Sequence, residues 1–187
     1  MRSVGIDIGI RNYGVAIIDG NKDVCNIISL ELIDLCTFET TEAIIKLQSE
    51  LERIKNEYIQ DSENTIVGIE QQPEHQHVNS FSRFKRDNTQ MKSIAHATQM
   101  FFLANKIPVK FVSPKSKWKV YDGPPLELTT KSKNPYIQNK HRGIQECLAI
   151  MTKNLEQKWI AYIKSLTKKD DVCDAYLLAY YCLTKLT

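Results

Sequence analysis

Short apolar runs alternate with turn residues near the start of the chain, and this pattern predicts β-strands. Residues 3–9 form the first run, residues 15–18 the second, and the third lies within residues 24–35. Asp19-Gly20 is a hairpin signal, and a short turn separates the first two runs. The first three strands are therefore predicted to be antiparallel.

Helical spacing of apolar residues begins after the third strand. It recurs in four segments, which are residues 40–59, 95–104, 140–155 and 170–183. Apolar runs at residues 65–70 and 109–112 predict the fourth and fifth strands. Strands reached through helices should lie parallel to the first strand. The predicted fold is α/β, with a mixed five-stranded sheet (three antiparallel strands, then parallel strands) flanked by helices.

Two polar segments interrupt these elements. Residues 71–88 follow the fourth strand, and residues 113–139 contain Gly123-Pro124-Pro125 and Asn134-Pro135. A loop as long as the second segment is usually functional or mobile in a compact domain.

The length of 187 residues is enough for a sizeable core, so we expect one domain over residues 1–187. The sequence has no apolar stretch that would span a membrane and no signal peptide at its start, so an intracellular protein is expected. The odd number of cysteines without CxxC spacing indicates reduced thiols rather than a zinc site; they are Cys25, Cys36, Cys147, Cys173 and Cys182.

The net charge of +3 hides an asymmetry between the two parts of the chain. Residues 1–70 hold 6 Lys/Arg and 13 Asp/Glu, whereas residues 71–187 hold 19 Lys/Arg and 9 Asp/Glu. Bound cations would cancel acids at a metal site, and the remaining surface would be basic on one side. Such a surface favours a polyanion such as nucleic acid, although a solubilising lysine-rich surface is the alternative.

Four carboxylates stand at positions that suit a shared metal site. Asp7 interrupts the first apolar run, Glu70 ends the fourth strand, and Asp171 and Asp174 open the last predicted helix. A carboxylate within an apolar strand is costly to bury unless a partner neutralises it, and Mg²⁺ prefers carboxylate oxygens. Each acid alone has a structural alternative, such as a helix-dipole interaction or, for Asp170, a helix cap.

Five short motifs together resemble the RuvC-like Holliday-junction resolvases of the RNase H superfamily, especially those of poxviruses and related large DNA viruses. Their order and separation span nearly the whole chain, whereas residues 20–60 and the middle loop carry little resemblance. The motifs are Gly5-Ile6-Asp7-Ile8-Gly9, Ile69-Glu70-Gln71, Val112-Ser113-Pro114, Lys140-His141-Arg142 and Asp171-Val172-Cys173-Asp174-Ala175.

The resemblance implies an RNase H-like endonuclease that resolves four-way DNA junctions as a homodimer by symmetric paired nicks. It makes Asp7, Glu70, Asp171 and Asp174 the catalytic metal ligands of two Mg²⁺ ions, for which Mn²⁺ would substitute. Lys140 resembles an active-site lysine of the family, with Lys115 as the second candidate. If the protein is viral, it would act in the cytoplasm of the infected cell.

Aromatic and basic residues after Glu70 and in the middle loop are the predicted DNA contacts. Either Phe81 or Phe84 is expected to wedge into the junction centre, with packing on the core as the alternative. The cations should contact phosphates, and they are Arg83, Lys85, Arg86, Lys115, Lys117, Lys119 and Arg142. Trp118 and Tyr121 either pack the loop or touch DNA.

The helix with Met100, Phe101 and Phe102 is the expected dimer surface, and an ordinary core face is the alternative reading. Three other functions compete with junction resolution. An RNase H-type nuclease for RNA–DNA hybrids would use the same fold and metals. An actin-like ATPase would need a second hairpin and a longer chain, and a DNA-binding scaffold would have no need for all four acids.

Overall fold

The computed structural model describes residues 1–21, 23–35, 39–72, 83–128 and 130–186; for residues 83–88 it describes the backbone only. Five strands form one sheet in the order β3-β2-β1-β4-β5. Their bounds are β1 Arg2–Asp7, β2 Tyr13–Gly20, β3 Cys25–Ile33, β4 Thr65–Glu70 and β5 Val109–Val112. The first three strands are antiparallel, and β4 and β5 lie parallel to β1, so the predicted mixed sheet is confirmed.

Helices cover both faces of this sheet. They are α1 Thr40–Tyr58, α2 Arg83–Ala104, α3 Pro135–Lys153, α4 Gln157–Ser165 and α5 Asp170–Lys185, with a 3₁₀ helix at Pro114–Lys119. Side chains alternate between the faces along β2: Val15 and Ile17 pack with α1 and α2, whereas Ala16 and Ile18 pack with α3, α4 and α5. Burial on both faces explains why these strands are continuous apolar runs rather than alternating ones.

Helix α5 crosses the centre of the sheet at very short range because β1 and β2 present glycines to it. A Cβ atom added at Gly5 would lie 2.0 Å from the carbonyl oxygen of Ala175, and one added at Gly14 would lie 2.4 Å from that of Asp171. The hydroxyl of Ser3 donates a hydrogen bond of 2.8 Å to the carbonyl oxygen of Ala179. Helix α5 therefore packs across the middle of the sheet.

Several predicted element bounds are also wrong. Helix α2 begins at Arg83 rather than in the mid-90s, so residues 83–88 belong to a helix instead of a loop. Helix α3 begins at Pro135, because Asn134 caps it by accepting a hydrogen bond from the backbone N–H of Tyr136. Lys140 consequently lies in the second turn of α3, not at its start.

Two further helical elements were not predicted from the sequence. The segment expected as a continuous loop contains the 3₁₀ helix Pro114–Lys119, in which the hydroxyl of Ser113 accepts from the backbone N–H of Lys115. Helix α4 was missed altogether. It is short, and only Ile160 and Ile163 bury apolar side chains in it, so its periodic signal is weak.

The expected dimer surface on α2 is partly core. Phe102 is fully buried, so the alternative reading is correct for this residue. Met100 and Leu103 remain exposed on the same helix, at 63% and 46%. Within the described residues, none of the helices combines the length and apolar character needed to cross a membrane.

We predict that Gly5→Ala destabilises the fold by about 1–3 kcal/mol, because the new methyl group would collide with the backbone of α5. Urea unfolding followed by circular dichroism measures this loss. Gly68→Ala is the matched control, since its methyl group would meet the side chain of Cys182, which can rotate away more easily than a backbone. An equal loss in both variants would contradict the special role of the contact between β1 and α5.

Candidate active site

Two of the predicted acids lie at the same edge of the sheet. Because β1 and β4 are parallel neighbours with Ile6 opposite Ile69, Asp7 and Glu70 end adjacent strands side by side. Asp7 is only 9% exposed. Glu70 is close enough for its charge to act on the carboxyl group of Asp7. The strand geometry thus fixes a close pair of acids.

The first turns of α5 bring the other acids to this edge. Asp171 and Asp174 are three residues apart, and both line one cleft with Asp7 and Glu70. The cleft has a volume of about 500 Å³. Its remaining walls are formed by Ile8, Gln72, Met91, Pro114, Lys115, Lys117, Trp118, Tyr136, Asn139, Lys140 and Asp170.

Lys117 occupies the middle of the acid group. Its ammonium group lies 3.3 Å from Oε1 of Glu70 and donates a hydrogen bond to Oδ2 of Asp174. The residue is 7% exposed. The expectation of a loop lysine with an exposed side chain is wrong for Lys117, because the 3₁₀ helix turns that side chain inward.

Burial and mutual repulsion shift the protonation of these acids. Burial raises the pKa of Asp7 well above its ordinary value, and the charge of Glu70 raises it further. Burial also raises the pKa of Asp174 to about 6 against the opposing charge of Lys117. For Lys117 itself, burial lowers the pKa, but Asp174 and Glu70 outweigh it and raise the pKa overall.

A second lysine–acid pair closes one side of the cleft. The ammonium group of Lys140 forms an ion pair with Asp170 and lies 5.0 Å from the centre of the Tyr136 ring. Lys169 precedes α5 as its N-cap residue, and Asp170 is the first residue of the helix. The capping alternative for Asp170 is therefore wrong, and its side chain faces Lys140 instead.

Arg142 and Trp118 pack against each other beside the cleft. The guanidinium group of Arg142 lies 4.8 Å from the centre of the Trp118 ring and donates a hydrogen bond of 2.6 Å to Glu146. Tyr121 is half-buried against the core formed with α3 and α5. For Trp118 and Tyr121 the packing interpretation is thus the one that the structure favours.

The other predicted DNA contacts fall in three places. Lys115 is exposed on the wall of the cleft, and Lys119 is exposed in the same 3₁₀ helix. The first turn of α2 contains Arg83, Phe84, Lys85 and Arg86. Phe81 lies outside the described residues, so the wedge proposed for Phe81 or Phe84 stays a prediction.

The side chains of the cleft have the chemistry of a divalent-metal site, whereas their spacing does not form a compact set of ligands. Five carboxylates line the same cleft, the four predicted ligands and Asp170, and oxygen ligands of this type are those that Mg²⁺ prefers. Among the described residues, however, no three His, Cys, Asp or Glu side chains are grouped closely enough to hold one ion. The ammonium group of Lys117 already satisfies the acids as a cation would.

Lys117 is the site residue whose burial was not predicted from the sequence. It was grouped with the phosphate contacts because the surrounding segment is rich in lysine. Lys115, Lys117 and Lys119 would share one face of an extended strand, but the three-residue period of the 3₁₀ helix places them in different directions. Deciding which lysine turns inward needs the tertiary position of α5.

One comparison by sequence finds a viral relative. An uncharacterised protein of Acanthamoeba polyphaga mimivirus, L451, is 36% identical over 109 residues. The matched segment covers 51% of this chain and 26% of the mimivirus protein, so the similarity spans only about a quarter of that relative. No protein-family profile matches the chain.

Solved structures similar to this fold are Holliday junction resolvases. Thermus thermophilus RuvC in complex with a Holliday junction substrate superposes with a TM-score of 0.64 and 13% identity, over 97% of this chain and 92% of that one. The fowlpox virus resolvase in complex with junction DNA gives 0.60 and 18%, over 96% and 94%. The yeast mitochondrial resolvase Ydc2 gives 0.61 and 17%, over 96% and 76%.

The chain therefore has the RuvC-like variant of the RNase H fold. The predicted resemblance to RuvC-like and poxvirus resolvases is confirmed at the level of fold, and the mimivirus relative agrees with the large DNA virus type. The roles of the individual site residues remain predictions.

We predict that Asp174 makes the metal-free protein less stable as the pH rises. The folded state holds the Asp174 proton up to a pKa of about 6, above the ordinary 3.8, so this stabilisation is complete near pH 4 and is lost as the pH rises through 6. The difference in unfolding free energy between wild type and Asp174→Asn, measured in EDTA, should fall by on the order of 2–3 kcal/mol between pH 4 and pH 7.

Asp122→Asn, an exposed substitution with a loose partner 3.4 Å away, is the control and should leave the pH profile of wild type unchanged. A difference between wild type and Asp174→Asn that grows with pH would mean that Lys117 stabilises the carboxylate by more than burial costs.

Proposed function

We propose that this protein is a structure-selective endonuclease that resolves four-way DNA junctions by symmetric paired nicks. The observation that carries the proposal is the convergence of Asp7, Glu70, Asp171 and Asp174 on one cleft at the sheet edge. The fold around that cleft is shared with three proteins described as Holliday junction resolvases, two of them solved with junction DNA.

The four carboxylates would hold two divalent ions, Mg²⁺ with Mn²⁺ as a substitute. Such ions, when bound, supply an activated water and charge stabilisation at the scissile phosphate. Asp7 would be the central ligand of this set, because the charges of both Glu70 and Asp174 act on it.

Cations on the walls of the cleft would position the DNA backbone. Lys115 is exposed and lines the cleft, so it can meet a phosphate directly. Lys140 lines the same cleft but is held by Asp170, so a phosphate would have to compete with that carboxylate. Among the two candidates for the phosphate-binding lysine, this geometry favours Lys115.

The surrounding basic residues would add affinity for branched DNA without reading sequence. Lys119 and Arg142 flank the cleft on the side of the 3₁₀ helix and α3. The first turn of α2, which carries Arg83, Lys85 and Arg86, follows the segment after Glu70. Contacts of this type make binding strongly dependent on salt.

A homodimer would match the two-fold symmetry of a four-way junction. The exposed apolar residues Met100 and Leu103 lie one turn apart on α2, beside a groove of about 410 Å³ between α1 and α2. An apolar strip of this kind on a helix is typical of a surface that pairs with another protein. A second copy of this chain is its proposed partner.

Asp7→Asn should reduce cleavage of a synthetic four-way junction by on the order of a hundredfold or more in Mg²⁺, because it removes the central carboxylate. Strand-resolved gel analysis of end-labelled junctions measures the rate and shows whether opposed strands are cut symmetrically. A linear duplex and an RNA–DNA hybrid of the same sequence are the comparison substrates.

Asp122→Asn is the matched control, because Asp122 is 80% exposed in its side chain and does not line the cleft. Faster cleavage of the hybrid than of the junction would favour an RNase H-type enzyme. Equal junction cleavage by wild type and Asp7→Asn would contradict the proposed role of the acid cleft.

The double substitution Met100→Glu with Leu103→Glu should convert a dimer to a monomer, because it places four charges across a two-fold apolar contact. Sedimentation velocity measures the oligomeric state. Leu155→Glu is the control, since Leu155 is 81% exposed at the end of α3 and far from α2 in the fold. A double variant that stays dimeric would place the interface elsewhere.

A further inference from the structure

The ammonium group of Lys117 lies among acids, and the centre of the Trp118 ring is 5.4 Å from it. The Lys117 side chain is only 9% exposed. Lysine is almost never buried to this extent unless its charge is paired. The neighbouring residues of the 3₁₀ helix, Lys115 and Lys119, are exposed. Of the three lysines in this 3₁₀ helix, Lys117 is therefore the one whose ammonium group reaches the acids.

The contacts of that ammonium group are those that a metal ion would make. It lies 3.3 Å from Glu70 Oε1, bonds to Asp174 Oδ2, and acts electrostatically on Asp7. These are three of the four acids proposed to hold the metal. In this arrangement no three of the described acidic, His or Cys side chains are grouped as a metal-binding set. The ammonium group of Lys117 thus lies beside the acids where a metal ion from solution would bind.

We infer that Lys117 is a built-in counter-ion that holds Glu70 and Asp174 in the metal-free protein and must withdraw when a divalent ion binds. The inference rests on the proposed function, because it takes the same acids as metal ligands. In this role Lys117 positions the carboxylates before metal arrives, and it lowers the affinity for metal by competing for their oxygens.

The charges in the cleft predict how removal of Lys117 would change both the stability of the metal-free protein and its affinity for metal. Without Lys117, three buried acids would repel one another in the metal-free state, so the apo protein would be less stable. A divalent ion would then relieve more repulsion on binding, and it would not have to displace an ammonium group. The same substitution should therefore weaken the apo fold and strengthen metal binding, two effects that a merely structural lysine would not combine.

Lys117→Met is the direct variant, since methionine keeps much of the length of the side chain and removes the charge. At pH 8 it should bind Mg²⁺ or Mn²⁺ on the order of tenfold more tightly or better than wild type in calorimetry without DNA. In EDTA it should melt below wild type, and saturating Mg²⁺ should close that gap. Lys119→Met is the matched control and should change neither quantity.

A second measurement uses wild type alone, so it does not depend on how the variant folds. Lysine acetylation by an amine-reactive reagent, read by mass spectrometry, should modify Lys117 far more slowly than Lys119 in EDTA. Saturating Mg²⁺ should speed the modification of Lys117, because the ammonium group has to leave the acids. The rate at Lys119 should stay constant.

Two results would overturn the inference. One is a folded Lys117→Met protein whose affinity for Mg²⁺ equals or falls below that of wild type, and the other is a Lys117 that stays protected in saturating Mg²⁺. Junction cleavage separates this failure from failure of the proposed function. Junction cleavage by the wild type with unchanged metal affinity in Lys117→Met leaves the function standing. Tighter metal binding by Lys117→Met without junction cleavage by the wild type leaves only the counter-ion role.

Discussion

The close contact between α5 and the middle of the sheet is the constraint on which the site depends. Glycines at positions 5 and 14 leave no side chain between the strands and the helix, so the two backbones approach to a distance that any larger residue would prevent. The bond from Ser3 to the carbonyl oxygen of Ala179 fixes the helix along its axis. As a result, acids separated by more than a hundred residues in sequence meet at one edge, because the start of α5 lies beside the end of β1.

Bringing these carboxylates together causes electrostatic repulsion, which two lysines offset. Asp7 and Asp174 lie close enough to Glu70 for its charge to raise the pKa of both. Lys117 neutralises the inner group, and Lys140 neutralises Asp170 at the rim. A pair of buried opposite charges is weak evidence of stability, since desolvation consumes much of the attraction. The arrangement is better explained by a need for carboxylates at this position than by any gain in stability.

Much of the fold follows from local sequence, and the misplaced parts have a common physical cause. The strands and α1 were predictable because their apolar residues repeat with the period of the structure that they form, as Leu47, Leu51 and Ile54 do in α1. The bounds of α3 depend on a single side chain, Asn134, which caps the helix well before its apolar stripe begins. The acids were predictable as a set because strand ends and a helix start define where they meet. Lys117 was not, because its inward direction depends on the tertiary position of α5.

The two sides of the cleft differ in how firmly the fold holds them, and this difference bears on how the site would work. Asp7 and Glu70 belong to hydrogen-bonded neighbouring strands, and Asp174 belongs to a helix locked onto those strands. Lys115 and Lys117 belong to a single 3₁₀ helix after the edge strand β5, held at its start by a bond of 3.4 Å to Ser113. Lys140 reaches the cleft through a long side chain. The acids are therefore fixed by the sheet and by the helix packed on it, whereas the lysines reach the cleft through long, flexible side chains, as a site that exchanges its own lysine for metal and then meets a phosphate backbone would require.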